Sequence, residues 1–323
     1  MAKGDFSLLE KSIRSEVEGD VYFDTFTRGR YATDASIYQI NPVGIVVPKS
    51  IQDVKTAMSL ASKEGFSLLA RGAGTSQCGQ TVNTSLVIDT SKYLNSLIDL
   101  NIEELTVTVQ PGMILDQLNI FLKPLGLWFP VDISTSAQAT IGGMVGNNSC
   151  GARSIKYGTM RDNVLEIKAI LPDGRESWFG PSDKVYKNGL PQDITESLLK
   201  LGEEYSGVIK NNFPKVMRRV GGYNLDALLK EGGCSPNFSH ILVGSEGTLA
   251  FSSSIKLKLA NLPKYSTLGV CHFAKFDDAM RATKNIVSLG PTAVELIDET
   301  MINLAAKIPA FRAVVDNVVI GNP

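Results

Sequence analysis

The sequence predicts a globular fold of mixed α and β structure. Strand-like and helix-like segments alternate over the first third of the chain, which indicates βαβ units with extra strands. After residue 160, two β-rich segments flank an Asp-Gly turn, a pattern that is typical of an antiparallel hairpin. The composition, with 43% hydrophobic and 20% charged residues, is that of an ordinary folded protein.

The elements of the first part follow from apolar patterning and from helix start and stop signals. Helices are predicted over Phe6–Val17, from the N-cap Ser50 to the stop at Gly65, and over Met113–Lys123 with Gly126 as terminator. The predicted strands are rich in aliphatic and β-branched residues, and they are Gly44–Pro48, Phe66–Ala70, Leu86–Asp89 and Leu105–Gln110.

The second part is predicted to hold a hairpin, two helices and two more strands. Their bounds are Val164–Leu171 and Glu176–Phe179 for the hairpin, Ile194–Glu204 and Asn224–Lys230 for the helices, and Ile241–Gly244 and Leu249–Leu259 for the strands. Pro263 marks a predicted boundary between a main domain, residues 42–263, and a last segment, residues 264–323; residues 1–41 form an N-terminal extension.

The last segment begins a β-α-β unit, with strands at Thr267–Phe273 and Thr292–Ile297 around a helix at Asp277–Leu289. So short a segment cannot form an independent domain of ordinary size. We therefore expect residues 264–323 to be the start of an α/β cap domain that is truncated at Pro323.

Charge and cysteine content exclude several classes of protein. The formal net charge of -1 argues against a basic nucleic-acid-binding surface, and no apolar run is long enough to span a bilayer. The N-terminus lacks the apolar stretch of a secretion signal, so we expect a cytoplasmic protein, with peripheral contact at the inner membrane left open. The four cysteines form no C-x-x-C pair, which favours reduced, buried thiols over a zinc, iron–sulfur or disulfide framework.

Two glycine clusters are candidates for ligand binding. Arg71–Gln80 follows a strand, and glycines there let consecutive N–H groups converge on an anion such as phosphate. It matches neither the P-loop nor the Rossmann fingerprint, and a simple turn is the alternative. Ala139–Gly151 packs four glycines into thirteen residues, a density that predicts irregular backbone around a ligand rather than a regular helix or strand. A floppy surface loop is the alternative there.

A third motif, Gly244–Leu249 (GSEGTL), is by itself only a tight turn. Together with the other motifs, however, it forms an ordered pattern along the chain. The order is R-G-x-G-T-S, P-x-D at Pro130–Asp132, A-T-I-G-G, N-x-x-G, Y-G at Tyr157-Gly158 and G-S-E-G-T-L. It resembles the FAD-binding domain of the vanillyl-alcohol-oxidase family, also called the PCMH-type or FAD-linked oxidase domain, over roughly residues 20–262. Within that family it is most similar to the D-lactate, glycolate and D-2-hydroxyglutarate dehydrogenases.

The resemblance implies an α+β fold in which FAD lies between a small βαβ-like subdomain and a larger subdomain with an antiparallel sheet. Covalently flavinylated relatives carry a histidine where this chain has Thr75, so it implies non-covalent FAD. The implied cofactor-binding residues are Arg71, Gly72, Ala73, Gly74, Thr75, Ser76, Gly79, Gln80, Pro130, Asp132, Thr140, Gly142, Gly143, Asn148, Gly151, Tyr157, Gly158, Glu246 and Gly247.

The resemblance further implies a dehydrogenase that oxidises a D-2-hydroxy acid such as D-lactate, glycolate or D-2-hydroxyglutarate and passes electrons to a quinone, a cytochrome or another carrier. In similar dehydrogenases the base, the metal ligands and most carboxylate-binding residues lie in a cap domain after the FAD domain. This chain also resembles the first third of long bacterial oxidoreductases that carry iron–sulfur cysteines later in their sequence.

Few residues of this chain fit the substrate chemistry. Its two histidines, His240 and His272, are expected to be structural, so no catalytic residue and no metal site are assigned. Arg153 and Lys156 are the cations nominated for the substrate carboxylate. We therefore expect residues 1–323 alone to bind FAD without appreciable turnover. A non-catalytic electron-transfer module that needs a partner is the main alternative, and a UDP-sugar reductase with the same fold is a more distant one.

Overall fold

The N-terminal part of the chain forms a small subdomain around a four-stranded sheet. The computed structural model describes residues 6–184, 186, 188–230, 235–321 and 323. The elements of the small subdomain are α1 (Ser7–Glu16), β1 (Asp20–Tyr22), α2 (Thr25–Arg30), β2 (Gly44–Val47), α3 (Ile51–Lys63), β3 (Leu68–Arg71) and β4 (Leu86–Asp89). The strand order is β1-β2-β4-β3; β2, β4 and β3 run parallel, and β1 pairs antiparallel with β2.

The following residues form a larger subdomain around a five-stranded antiparallel sheet. Its strands are β5 (Leu97–Asn101), β6 (Thr106–Val109), β7 (Leu127–Trp128), β8 (Val164–Ile170), β9 (Glu176–Phe179), β10 (Phe251–Lys258) and β11 (Ala260–Asn261). The main sheet has the order β5-β6-β10-β8-β9, and β7 pairs with β11 beside it. The predicted α+β fold, with a parallel small sheet and an antiparallel large one, is confirmed.

Short helices surround the large sheet. They are α4 (Leu115–Leu122), α5 (Ile141–Asn147), α6 (Ser154–Tyr157), α7 (Met160–Asn163), α8 (Gln192–Glu204), α9 (Ser206–Asn212) and α10 (Ser239–Leu242), with 3-10 helices at Lys123–Leu125 and Leu225–Leu228. The predicted strand at Ile241–Gly244 is wrong, because this run begins within helix α10. A short apolar run has no periodicity that separates strand from buried helix. The helix predicted at Asn224–Lys230 is reduced to a single 3-10 turn.

The last segment contains α11 (Phe276–Ser288), α12 (Glu299–Lys307) and α13 (Pro309–Val318). The strands predicted at Thr267–Phe273 and Thr292–Ile297 do not form, so the predicted β-α-β unit is wrong within the described residues. A strand needs a neighbour for its backbone hydrogen bonds, and these two segments have none. Among the described residues of this segment, Ala279 alone has a buried side chain, while Leu268 and Leu289 are more than four-fifths exposed. The domain boundary at residue 263 stays a prediction.

Hydrophobic packing joins the two subdomains. In the small one, Leu9 and Ile13 of α1 pack with α3 and with the fully buried strands β2 and β4. Ile170 and Phe251 belong to the same buried cluster, although they lie in the large sheet. The predicted N-cap of α3 is confirmed, since the Ser50 hydroxyl accepts a hydrogen bond from the N–H of Asp53. The small subdomain is therefore fixed against the large sheet.

Helix α4 offers a matched test of this packing. Leu118 is fully buried in the large core, whereas Ile120, two residues along the same helix, is 71% exposed. Leu118→Ala is expected to lower the free energy of unfolding by about 2–5 kcal/mol, because it leaves a cavity. Ile120→Ala is expected to change it by less than about 0.5 kcal/mol. Urea denaturation of both variants measures the difference, and equal losses would contradict the assigned packing.

Candidate functional site

A cleft of about 730 Å³ is lined by residues of both subdomains and of all three glycine motifs. Most residues that the sequence implies for cofactor binding line it. Those in the cleft are Arg71, Gly72, Ala73, Gly74, Thr75, Ser76, Gln80, Asp132, Thr140, Gly142, Gly143, Asn148, Gly151, Glu246 and Gly247. Those that do not line it are Gly79, Pro130, Tyr157 and Gly158. The structure thus brings together motifs that are up to 176 residues apart.

The loop after β3 presents unpaired backbone donors to the cleft. Within the described part of the chain, the N–H groups of residues 73–79 donate no hydrogen bond to a protein acceptor. Gly74 and Gly79 have φ angles of 69° and 78°, in the left-handed region that glycine adopts without strain. Consecutive free amides on a curled backbone form an anion-binding concavity. The loop is therefore suited to a phosphate or pyrophosphate group.

The side chain of Arg71 braces this loop rather than reaching for a ligand. Its guanidinium donates hydrogen bonds to the carbonyls of Tyr31 at 3.1 Å, Thr33 at 2.8 Å and Thr81 at 3.0 Å. It also lies over the Tyr31 ring at 5.1 Å. Burial lowers the pKa of Arg71, although the nearby Asp89 opposes that shift. The guanidinium of Arg71 thus joins the two ends of the loop to the N-terminal segment.

The second glycine cluster forms helix α5, so the prediction of irregular backbone is wrong. Its first N–H groups already have protein acceptors: Ile141 donates to Met113 at 2.8 Å, and Gly142 to Pro111 at 2.7 Å. Gly142 allows this close approach, since a Cβ there would lie 2.6 Å from the Pro111 side chain. The glycines therefore permit close packing of a helix whose N-terminus is not free to bind an anion.

Two other glycines of α5 keep one face of the helix open to the cleft. A Cβ at Gly143 would meet only the Thr140 hydroxyl, at 3.2 Å, and one at Gly146 would come no closer than 3.8 Å to Glu246. The loop after β3 approaches the same helix, because a Cβ at Gly72 would lie 2.1 Å from the Thr140 hydroxyl. A flat ligand can thus lie against the backbone of α5 where larger side chains would exclude it.

Glu246 links the two sides of the cleft. Its carboxylate accepts hydrogen bonds from Asn147 at 3.2 Å and from Gln80, on the small subdomain, at 3.4 Å. The Ser76 hydroxyl in turn bonds to Gln80. Burial raises the pKa of Glu246, and the two amide donors oppose that shift. Glu246 also has a φ of 52°, which is unusual for a residue other than glycine. Glu246 is thus a strained residue in the lining of the cleft.

The two cations that were predicted to bind the substrate carboxylate lie outside the cleft. Arg153 stacks over the Trp128 ring at 4.8 Å and faces Asp132, while Lys156 lies over the Tyr157 ring at 5.6 Å. Neither residue is among those lining the cleft. The sequence analysis also missed two segments that do line it: Ser134–Thr135, and Val220 beside a Gly-Gly pair. That Gly-Gly pair, at 221–222 after two arginines, is the signal that could have identified the second segment.

Histidines and cysteines show no metal-binding arrangement. The described residues contain no group of three or more His, Cys, Asp or Glu that could hold a metal ion. His240 lies 3.2 Å from the carbonyl of Val164, and burial lowers its pKa. The prediction of buried thiols is wrong for Cys78 and Cys271, which are exposed, and Cys150 is half-buried. Cys234 lies outside the described residues.

Family models match two parts of this chain. The FAD binding domain matches residues 42–180, which include the first two glycine motifs. The C-terminal domain of FAD linked oxidases matches residues 262–317. The chain belongs to the FAD-linked oxidase family. Its cleft is accordingly the cleft of an FAD binding domain, and the free amides after β3 and the open face of α5 suit that cofactor.

Curated relatives within the FAD-linked oxidases include several dehydrogenases. The chain is 36% identical to the D-2-hydroxyglutarate dehydrogenase of Escherichia coli, over 95% of this chain and 31% of that protein. It is 35% identical to that of Haemophilus influenzae, over 89% of this chain and 29% of that protein, and 29% identical to a probable mitochondrial D-lactate dehydrogenase of Danio rerio, over 90% and 51%. The chain spans about a third of the bacterial relatives.

Solved structures support the fold. Alkyldihydroxyacetonephosphate synthase superposes on 92% of this FAD-linked oxidase chain, and 49% of its own chain is covered, with a TM-score of 0.65 and 21% identity. A second crystal form of it gives a TM-score of 0.67 over 98% of this chain and 53% of that one, at 19% identity. Within the described ranges, every helix is too short or too polar to cross a lipid bilayer.

The raised pKa of Glu246 predicts a pH-dependent stability. A raised pKa means that the folded protein favours the protonated carboxyl, so ionisation above that pKa reduces stability. Glu246→Gln is therefore expected to raise the melting temperature at pH 8, and to raise it much less at pH 4, where the carboxyl is protonated. Thermal unfolding at both pH values tests this, with the exposed Glu204→Gln as control. A gain that does not depend on pH would contradict the assigned cause.

Proposed function

We propose that this chain is the FAD-binding part of a dehydrogenase that oxidises a D-2-hydroxy acid, with FAD bound non-covalently. The observation that carries the cofactor assignment is the run of seven unpaired amides at residues 73–79, of which residues 73–78 line the cleft of the FAD binding domain. Identities of 33–36% to D-2-hydroxyglutarate dehydrogenases support the substrate class. D-2-Hydroxyglutarate is the substrate that we propose first, before D-lactate and glycolate.

Different residues of the chain would bind different parts of the cofactor. The amides of the loop after β3 would bind the pyrophosphate, and the Thr75 and Ser76 hydroxyls would add donors there. The open face of α5 at Gly143 and Gly146 would accept a flat ring against the backbone. No histidine is among the described residues that line the cleft, which supports non-covalent attachment.

When bound, FAD supplies a flavin ring that accepts the hydride from carbon 2 of the hydroxy acid. The chain's own part is to orient that ring and to exclude water from one of its faces. No histidine lines the described cleft, so we propose no general base from this chain, and reduction is expected to be slow. The electron acceptor that we propose is a quinone or a cytochrome, and a membrane quinone would bring the protein to the inner-membrane surface.

The open face of α5 gives a sharp test of cofactor binding. Gly143→Val is expected to abolish copurification of FAD while the protein stays folded, because its Cβ would meet only Thr140 and the branched side chain would occupy the cleft. Gly207→Val is the matched control: it also lies in a helix, with open space around it and away from the cleft. The measurement is the ratio of FAD to protein absorbance, with circular dichroism for folding. A full complement of FAD in Gly143→Val would contradict this position.

The proposed function is tested by the purified 323-residue protein with FAD bound. Acid precipitation is expected to release the yellow colour into the supernatant. Under anaerobic conditions, D-2-hydroxyglutarate is expected to bleach the flavin over minutes, and the L enantiomer is expected to leave it oxidised. A yellow pellet would contradict non-covalent binding. Bleaching by dithionite alone would favour a second candidate, an electron-transfer module whose partner holds the substrate site.

A further inference from the structure

A loop that the FAD chemistry does not use approaches the cleft from the large subdomain. Residues 213–224, here called the arginine loop, connect α9 to the second 3-10 helix. The Asp226 carboxylate accepts hydrogen bonds from Arg219 at 2.6 Å and from Arg161 at 2.7 Å. Both arginine side chains are about one-fifth exposed. Two cations share one carboxylate, so these three side chains, which hold the loop in place, carry a net charge of +1.

The anchored loop is in contact with the wall of the cleft. The main-chain carbonyl of Arg219 accepts a hydrogen bond from the side-chain amide of Asn148, whose other side-chain atom accepts from the N–H of Arg161. Asn148 and Val220 both line the cleft. At the far end of the loop, the Tyr223 hydroxyl bonds to Thr248 at 2.8 Å. The loop therefore forms one edge of the cleft.

The loop has two exposed cations, Lys215 and Arg218, of which Arg218 is nearer in the sequence to the cleft-lining Val220. Among the described residues, Arg218 has no hydrogen-bond or ion-pair partner. Residues 218–220 contain no helix, turn or bend. Arg218 thus lies two residues before Val220, which lines the cleft, and directly before Arg219, which is held by Asp226.

The cleft itself offers no cation for an anionic substrate. Among the described residues that line it, the charged groups are Arg71, Asp132, Glu246 and Glu295. The charge of Arg71 is taken up by three main-chain carbonyls. A 2-hydroxy acid carries a carboxylate that must be held for its carbon 2 to face the flavin. Among the described residues that line the cleft, none is therefore a cation free to bind that carboxylate.

We propose that Arg218 binds the carboxylate of the substrate at the edge of the cleft, and that the Asp226 cluster holds the loop in position for it. The inference rests on the proposed function, because it takes the ligand to be a hydroxy acid. Arginine suits this role, since its planar guanidinium can bind a carboxylate through two parallel hydrogen bonds.

Carboxylate binding can be measured without turnover. Oxalate and 2-oxoglutarate, titrated separately into the FAD-bound protein, are expected to perturb the flavin absorption spectrum and give a Kd for each. Arg218→Gln is expected to raise both Kd values by about tenfold or more, since a charge-assisted pair is lost, and Arg218→Lys should recover part of that loss. Lys215→Gln, an exposed cation of the same loop, is the control and should leave the Kd values unchanged.

The outcomes separate this inference from the proposed function. Arg218→Gln with a full complement of FAD and Kd values within twofold of wild type would overturn the role of Arg218. Wild-type protein that binds neither carboxylate would overturn it as well. If wild type binds both carboxylates through Arg218 but no D-2-hydroxy acid reduces the flavin, the inference is supported and the proposed reaction fails.

Discussion

The guanidinium of Arg71 holds three main-chain carbonyls at one point, and the geometry of the cleft depends on that contact. Two of the carbonyls belong to the N-terminal segment, at Tyr31 and Thr33, and the third is at Thr81, just past the loop. Because a half-buried guanidinium needs its donors satisfied, the two ends of the loop are fixed relative to each other. The amides of residues 73–78, between them, line the cleft without a protein acceptor, and they are thus available to bind an anion.

Glycines complete the site by bringing backbones into contact. A Cβ at Gly72 would clash with Thr140, one at Gly142 with Pro111, and one at Gly151 with the carbonyl of Asp132. Each contact joins a different pair of segments: loop to helix, helix to strand end, and turn to turn. The cleft walls are consequently made largely of main chain, whose positions are set by the two sheets. Such walls change little when surface side chains change.

Strand patterning in the sequence predicted most of the individual strands, whereas the two-subdomain arrangement and the cofactor-binding residues came from the family resemblance that the order of the motifs carries. These predictions failed where the outcome depended on long-range packing. Helix α5 forms despite its glycines because the carbonyls of Pro111 and Met113 accept hydrogen bonds from its first N–H groups. The sequence around residue 142 does not predict these acceptors. Arg153 stacks on Trp128, 25 positions earlier, rather than facing the cleft. The predicted strand at Thr267–Phe273 lacks a neighbour, which no local pattern could reveal.

The weak packing of helices α11 to α13 determines where the protein unfolds locally. Within the described residues 262–321, Ala279 is the one buried side chain, so very little apolar contact ties this segment to the rest. Local opening then requires only a small part of the global free energy of unfolding. Backbone amides there should exchange with solvent before those of the two sheets, and a protease should cut there while the cleft stays folded. Glu295 apart, the described residues that line the cleft thus lie outside the segment that opens most readily.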